Sequence, residues 1–278
     1  MDATGVPQTA AAWPSYEGAI FDLDGTIYRG DEPIPGAVDA LNRIAAAGAR
    51  IAFVTNNAMV TAEGVAAKLA AMGYPATPGQ VVTSAAATAQ ILLDRHGPTR
   101  VYVIGAPALA KALTDAGHVV ADSEVTAVVV GLDLDLTYAK LRCATTLILG
   151  GAEFVATNPD RLFPLPDGLA PGGGAIVAAV ATAVAHVTTP FVVGKPETPL
   201  VEQALVLLGT ARDRTLLVGD QIRTDILAAK RTGLYGVLVT TGAPQFGDDI
   251  APDRVVASLS ELPDPGRPTP RRRHPPVE

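Results

Sequence analysis

Asp22 and Asp24 flank Leu23 directly after the apolar run Ala19-Ile20-Phe21, and Gly25-Thr26 follows them. The apolar run predicts a buried strand over 18–22, and Gly25 lets the backbone turn sharply beyond it. Side chains two apart leave an extended strand on the same face. Both carboxylates can therefore reach one point past the strand end while Leu23 anchors in the core. Such a pair can ligate a hard cation, or one member can attack an electrophile while the other handles a proton. A plain strand-to-turn junction uses the same residue types. What separates the two readings is whether partners follow downstream.

Three sets of partners follow, each after its own apolar run. Thr55-Asn56-Asn57 succeeds Ile51–Val54 and precedes Thr61, a candidate N-cap for a helix over 62–72. A hydroxyl, amides and backbone N–H groups there form either a phosphate cradle or an ordinary capping loop. Gly194-Lys195-Pro196 succeeds Phe191–Val193, and the Lys195 ammonium would offset crowded carboxylates. Gly219-Asp220 succeeds Thr215–Val218, with Asp225 a helical turn further on. Asp220 could complete an oxygen set for Mg²⁺ with Asp22 and the main-chain carbonyl of Asp24. Asp225 would then orient the metal's water, serve as an outer acceptor, or merely favour a helix dipole.

Two stretches echo these motifs. Asp133-Leu134-Asp135-Leu136-Thr137 imitates the first and Thr157-Asn158-Pro159-Asp160 the second. A duplicated site would need a second lysine and a second Gly-Asp pair at strand ends, and no expected strand other than those ending at Val193 and Val218 is followed by either. The glycines 172–174 read as a loop before a helix, and there is no Walker motif.

Strand and helix patterns alternate between the ends, with strands predicted at 18–22, 50–54, 101–104, 126–130, 153–156, 191–193, 214–218 and 235–239. Alternation of this kind implies a mostly parallel sheet covered on both faces, whose ligands bind beyond the carboxyl ends of the strands. Thirty-three positions separate Asp22 from Thr55, room for a flap, a helix and a strand. The 138 positions between Asn57 and Lys195 exceed any simple crossover. An inserted α/β module over 98–189 is expected, hinged at Pro98 and Thr188-Thr189-Pro190, within a core domain of 17–97 and 190–262. Disordered tails are expected over 1–16 and 263–278, the latter carrying Arg271-Arg272-Arg273.

The 278 residues are 48% hydrophobic and 18% charged, with a net charge of −7. The acidic balance argues against a nucleic-acid surface. The apolar helix pattern over 175–187 falls short of the ~20 residues of a membrane span. Cys143, the single cysteine, excludes an internal disulfide and reads as buried filler. The four histidines lack ligand spacing, which leaves zinc without support. With no signal-like N-terminus, a cytoplasmic enzyme fits.

Taken in order, Asp-x-Asp, Thr-Asn-Asn, Lys and Gly-Asp-x₄-Asp resemble the haloacid dehalogenase superfamily, and within it the NagD-like type IIA phosphatases. The resemblance covers about 16–260 and includes Gly131-Leu132-Asp133, Leu136-Thr137-Tyr138 and Ala156-Thr157-Asn158-Pro159-Asp160. Gly219-Asp220-Gln221-Ile222-Arg223-Thr224-Asp225 looks closest to the nucleotide-phosphatase branch, which has Asn where Gln221 stands. The resemblance implies a Rossmann-like core, a mobile α/β cap and Mg²⁺-dependent phosphate-ester hydrolysis.

On that reading Asp22 is the nucleophile and Asp24, with a raised pKa, the acid and base. Thr55, Asn56 and Asn57 bind the phosphate, and Lys195 offsets charge and keeps Asp22 ionised with the metal held by Asp22, Asp24, Asp220 and Asp225. Asn158, Asp160 and Arg161 would meet the leaving group. Nucleoside 5′-monophosphates, glycerol or glycolate phosphates and sugar phosphates are the candidate substrates. A homodimer through the cap, common in the family, is a further expectation, and a non-catalytic phosphate-binding protein is the remaining alternative.

Overall fold

The computed structural model describes residues 13–165, 168–242 and 250–266. The chain opens with strand β1 (Gly18–Phe21), a short hairpin of β2 (Tyr28–Arg29) and β3 (Glu32–Pro33), helix α1 (Ala37–Ala46) and strand β4 (Arg50–Thr55). Helix α2 (Ala62–Ala71), strand β5 (Val81–Thr83) and helix α3 (Ser84–His96) follow. The middle of the chain runs through β6 (Arg100–Ile104), α4 (Pro107–Asp115), β7 (Val119–Val120), β8 (Ala127–Val130), α5 (Tyr138–Leu149) and β9 (Glu153–Ala156). A hairpin of β10 (Leu162–Leu165) and β11 (Gly168–Pro171) then leads to α6 (Gly173–Val184) and β12 (Phe191–Val192). The last stretch holds α7 (Pro199–Leu208), β13 (Thr215–Gly219), α8 (Leu227–Thr232), β14 (Tyr235–Val239) and β15 (Arg254–Val256).

These strands form two parallel sheets. The first has the order β15-β14-β13-β1-β4-β5, the second β12-β9-β8-β6-β7. Alternation along the strands explains why both faces of each are buried. In the first sheet Phe21, Phe53 and Val218 point to one hydrophobic cluster, while Ile20, Val54 and Leu217 point to another. In the second, Val101, Val129 and Val155 join that same second cluster, and Tyr102, Val130 and Phe154 face a third. The two sheets thus share one apolar layer, filled by α3, α4 and α7. Strand β1 lies between β13 and β4, so the three strands bearing the Asp-x-Asp, Gly-Asp and Thr-Asn-Asn motifs are adjacent at the point where strand order reverses. That is where open α/β sheets bind ligands.

The expected strands all form, most within a residue of their bounds. Short β2, β3, β5, β7, β10, β11 and β15 escaped the pattern reading because two to four residues carry too little periodicity. Thr61 caps α2 as expected, accepting from the amide of Gly64, and Thr137 caps α5 in the same way, accepting from that of Lys140. The helical turn that carries Asp225 is a wide π turn, Ile222–Ile226, that passes into α8.

Several expectations on the ends and the inserted segment need revision. Phe191–Val192, assigned to the core by the sequence, pairs with β9 in the second sheet, where the Arg95 guanidinium lies 3.8 Å from the Phe191 ring centroid. Tyr16, placed in the N-terminal tail, is 1% exposed within the first core cluster. Its hydroxyl donates to the carbonyl of Pro263 at 2.6 Å, and burial pushes that hydroxyl's pKa up to about 12. An apolar ring with one satisfiable polar atom packs readily, which composition alone obscures. The remainder of both tails, 1–12 and 267–278 with Arg271-Arg272-Arg273, lies outside the described residues. Cys143 is half-buried on α5 rather than core filler. No helix among the described residues is long and apolar enough to cross a membrane.

Candidate active site

The carboxyl ends of β1, β13 and β4 meet the loop after β12. Asp22 directly follows β1 and is tied to the sheet by its amide, which donates to the Val218 carbonyl at 2.9 Å. Gly25 turns the chain with a φ of 83°, and a Cβ there would come within 2.4 Å of Asp220 Oδ2. Any larger residue would displace that carboxylate.

Lys195 is the pivot. Its side chain is 2% exposed, and Nζ donates to Asp22 Oδ1 at 2.5 Å and to Asp225 Oδ1 at 2.6 Å. Burial pulls the ammonium's pKa down, but the two carboxylates outweigh it and hold the group protonated well above its usual range. Asp225 Oδ2 also accepts from the Gln221 amide at 3.0 Å, and the π turn is the backbone adjustment that aims this side chain inward.

Asp22, Asp220 and Asp225 each offer an oxygen within 4.8 Å of the others. Three carboxylates and one ammonium together carry a formal charge of −2, the charge that one divalent cation cancels. Hard oxygen donors of this kind suit Mg²⁺, so the donor set fits the expected ion. Asp22 and Asp220 meet as the spacing suggested, but the third member is Asp225. The Asp24 carboxylate is not in the cluster; its main chain forms an isolated β-bridge with Tyr28 at the start of the β2–β3 hairpin.

The carboxyl pKa values of Asp24 and Asp22 are both raised, the direction expected of Asp24. Packing around Asp24 raises its carboxyl above the usual range despite an exposed edge, with Lys68 and Lys195 pulling the other way. Burial raises Asp22 well above the usual range too, and Asp225 and Asp220 add to this. Lys195 opposes that rise, pulling the carboxyl the other way by charge and hydrogen bond.

Lys68 on α2 was not singled out from sequence, since a lysine in a last helical turn reads as a solvated charge. Its Nζ donates to the Gly30 carbonyl at 2.6 Å, pairs with Asp31 at 3.2 Å and lies 4.1 Å from the Tyr28 ring centroid. On the other side of the hairpin, Thr241 Oγ1 donates to the Gly25 carbonyl at 2.7 Å and its own carbonyl accepts from Arg29.

The Thr-Asn-Asn loop divides its tasks. Thr55 is 5% exposed at the end of β4, and its Oγ1 accepts from the Asn57 amide at 3.1 Å. Asn57 Oδ1 accepts from the Met59 amide at 2.9 Å. The Asn56 carboxamide, expected to bind phosphate, is already engaged: Oδ1 accepts from the Lys195 amide and Nδ2 donates to the Lys195 carbonyl, both at 2.8 Å. Asn158, expected to meet a leaving group, is 4% exposed and donates from Nδ2 to the Asn56 carbonyl at 2.8 Å. Its inward aim follows from its place at the carboxyl end of β9, facing β4. Asp160 is half-buried and accepts from Asn56 Nδ2 at 3.1 Å; burial raises its pKa, against the pull of Asn56 and Lys195. Arg161 is exposed. Asp133, the other echo, is paired with Lys140 Nζ at 2.8 Å.

Comparison with known proteins returns one family throughout. The haloacid dehalogenase-like hydrolase model matches residues 19–119, and a second model for such hydrolases matches 192–262. An acid sugar phosphatase of Staphylococcus epidermidis is 39% identical over 234 residues, 84% of this chain and 90% of that protein. The 5′-nucleotidase YutF of Bacillus subtilis is 38% identical over 254 residues, 89% and 97% of the two chains. Among solved structures, a double mutant of the thermostable NPPase of Geobacillus stearothermophilus aligns with a TM-score of 0.85 at 39% identity, over 90% of this chain and 99% of its own. The p-nitrophenyl phosphatase of Archaeoglobus fulgidus aligns at 0.84 with 31% identity, over 89% and 98%.

Proposed function

This chain belongs to the haloacid dehalogenase-like hydrolases and is a phosphoric monoester phosphatase of that family, and we propose that it is Mg²⁺-dependent and works through an aspartyl-phosphate. The observation that carries this reading is the buried Lys195 ammonium held between Asp22 and Asp225, with Asp220 alongside. An anionic nucleophile can meet a phosphate dianion only where fixed positive charge offsets the repulsion.

Asp22 attacks phosphorus in line, forming the Asp22–phosphorus bond as the ester P–O bond breaks. Asp24 gives its proton to the departing alkoxide, then takes one from the water that attacks the acyl phosphate. Hydrolysis returns Asp22 as a carboxylate and releases inorganic phosphate. The Thr55 hydroxyl and the backbone amide of Asn56 hold the non-bridging oxygens, while Lys195 offsets the gathering charge. Asp22, Asp220 and Asp225, with the main-chain carbonyl of Asp24, would hold Mg²⁺. The bound ion supplies further charge neutralisation and lowers the pKa of Asp22. Environment then separates the two aspartates: Lys195 and the bound ion would favour the ionised form of Asp22, while packing shifts Asp24 toward its protonated form.

The substrate is a small phosphorylated metabolite, a sugar phosphate or a nucleoside 5′-monophosphate, as the names of the two relatives suggest. Profiling kcat/KM across sugar, polyol, glycolate and nucleotide phosphates, with Mg²⁺ or with EDTA, tests both points. Asp22→Asn should abolish release of phosphate from every ester. Undiminished Mg²⁺-dependent activity in that variant would defeat the scheme.

A further inference from the structure

We propose that the loop Asn158-Pro159-Asp160 is a positioning device for Lys195, acting through Asn56, and that Asp160 serves this role rather than gripping the leaving group. The inference rests on the role given to Lys195 above.

The geometry leads there by way of the Lys195 main chain. Strand β12 ends at Val192, so Lys195 has left the sheet, and among the described residues no neighbouring strand supports its peptide groups. The Asn56 carboxamide takes the place of that strand, accepting from the Lys195 N–H and donating to its C=O. A primary amide has one further N–H to place, and it points at Asp160 Oδ1, a pure acceptor. The main chain of Asn56 is gripped as well, its carbonyl accepting from Asn158 Nδ2 at 2.8 Å and from Ser84 Oγ at 2.6 Å. Asn158 in turn accepts on Oδ1 from the Asp160 amide at 3.1 Å, which fixes the loop's own shape. Gly194 N–H donates to the Thr157 carbonyl at 2.9 Å, and a Cβ at Gly194 would come within 2.6 Å of that oxygen and 2.7 Å of Asn56 Oδ1. Only glycine permits this approach.

Thr157-Asn158-Pro159-Asp160 imitates the phosphate-side motif because it does the same local task, ordering a loop at a strand's carboxyl end. Its polar groups, however, are turned onto Asn56 and its own backbone. A buried network of this kind transmits the position of one sheet's loop to a side chain that must lie between two carboxylates. Lys195 Nζ has contacts of 2.5 and 2.6 Å to keep, so a small shift of its backbone changes them directly.

The test is steady-state kinetics of the full chain with Mg²⁺ on p-nitrophenyl phosphate, a sugar phosphate and a nucleoside 5′-monophosphate, with thermal melts alongside. Asp160→Ala is expected to lower kcat by about 10- to 100-fold, the range that a lost hydrogen bond to a charged group transmits to a barrier. The factor should be the same for all three esters, with KM within about threefold of the parent. Asp160→Asn keeps an acceptor facing Asn56 and should recover most of the loss. An unchanged kcat in Asp160→Ala, or a loss confined to KM or differing between esters, would overturn the proposal. Should Asp160→Ala not fold, Asp160→Asn decides alone: near-parental kcat with unchanged ester preference supports the role, and altered preference refutes it. Lys195→Met is the control. If it stays active, the reading of Lys195 fails first; if it is dead while Asp160→Ala is fully active, only the positioning role fails.

Discussion

Replacing Lys195 by Met keeps the length of the side chain and removes the one ammonium that holds Asp22 and Asp225 together. The parent has contacts of 2.5 and 2.6 Å at a side chain only 2% exposed, so solvent screening offers little discount. Breaking a buried pair while its partners stay charged costs about 3–5 kcal/mol, against a total stability of about 5–15 kcal/mol. At roughly 2–4 °C per kcal/mol for a chain of this size class, Tm should fall by about 6–20 °C at pH 8. The deficit should shrink as pH falls. Burial and the neighbouring carboxylates raise the folded pKa of Asp22, and losing Lys195 raises it further. A carboxyl whose folded pKa is raised contributes stability at low pH and loses it as pH rises through that value. The relevant window therefore opens at the unfolded value of about 3.9 and extends upward to the raised folded one. Melting parent and variant in EDTA at pH 5 and pH 8 measures this directly. An equal Tm deficit at both pH values, or none at pH 8, would refute the claim that the lysine compensates buried, ionisable carboxylates.

Two further outcomes are expected. Lys68→Met removes a cation that lowers the pKa of Asp24, so that pKa should rise. Because the general acid must be protonated, the alkaline limb of kcat/KM should move to higher pH for alkyl phosphates and hardly at all for p-nitrophenyl phosphate, whose leaving group needs no proton. A matching displacement for both ester types would contradict the acid role. Mg²⁺ at about 100 times its Kd should add about 2.7 kcal/mol to stability, seen as a rise in Tm that EDTA reverses. Asp220→Asn should abolish the rise at the same concentration, and a rise that survives the substitution would remove Asp220 from the ligand set.

The alternation of apolar runs and helical periods was enough to establish a parallel α/β fold, because strands buried on both faces are continuous and apolar. It also placed Asp22, Thr55, Lys195 and Asp220 at strand ends, where local pattern and topology coincide. Short elements such as β2, β3 and β5 stayed invisible, since two or three residues have no period to read. The destination of side chains was decided only by the packed molecule. Asn56 and Asn158 look like ligand-binding amides in one dimension, yet each is used up by a backbone that lies more than a hundred residues away. Asp225 joins the carboxylate cluster because a π turn rotates it inward, and Lys68 reaches the Asp24 hairpin from a helix whose sequence marks it as surface. Residue type and spacing determine which groups can do chemistry at a strand end. Which of them face the reacting centre, and which hold another residue in place, depends on hydrogen-bond partners brought together from distant parts of the chain.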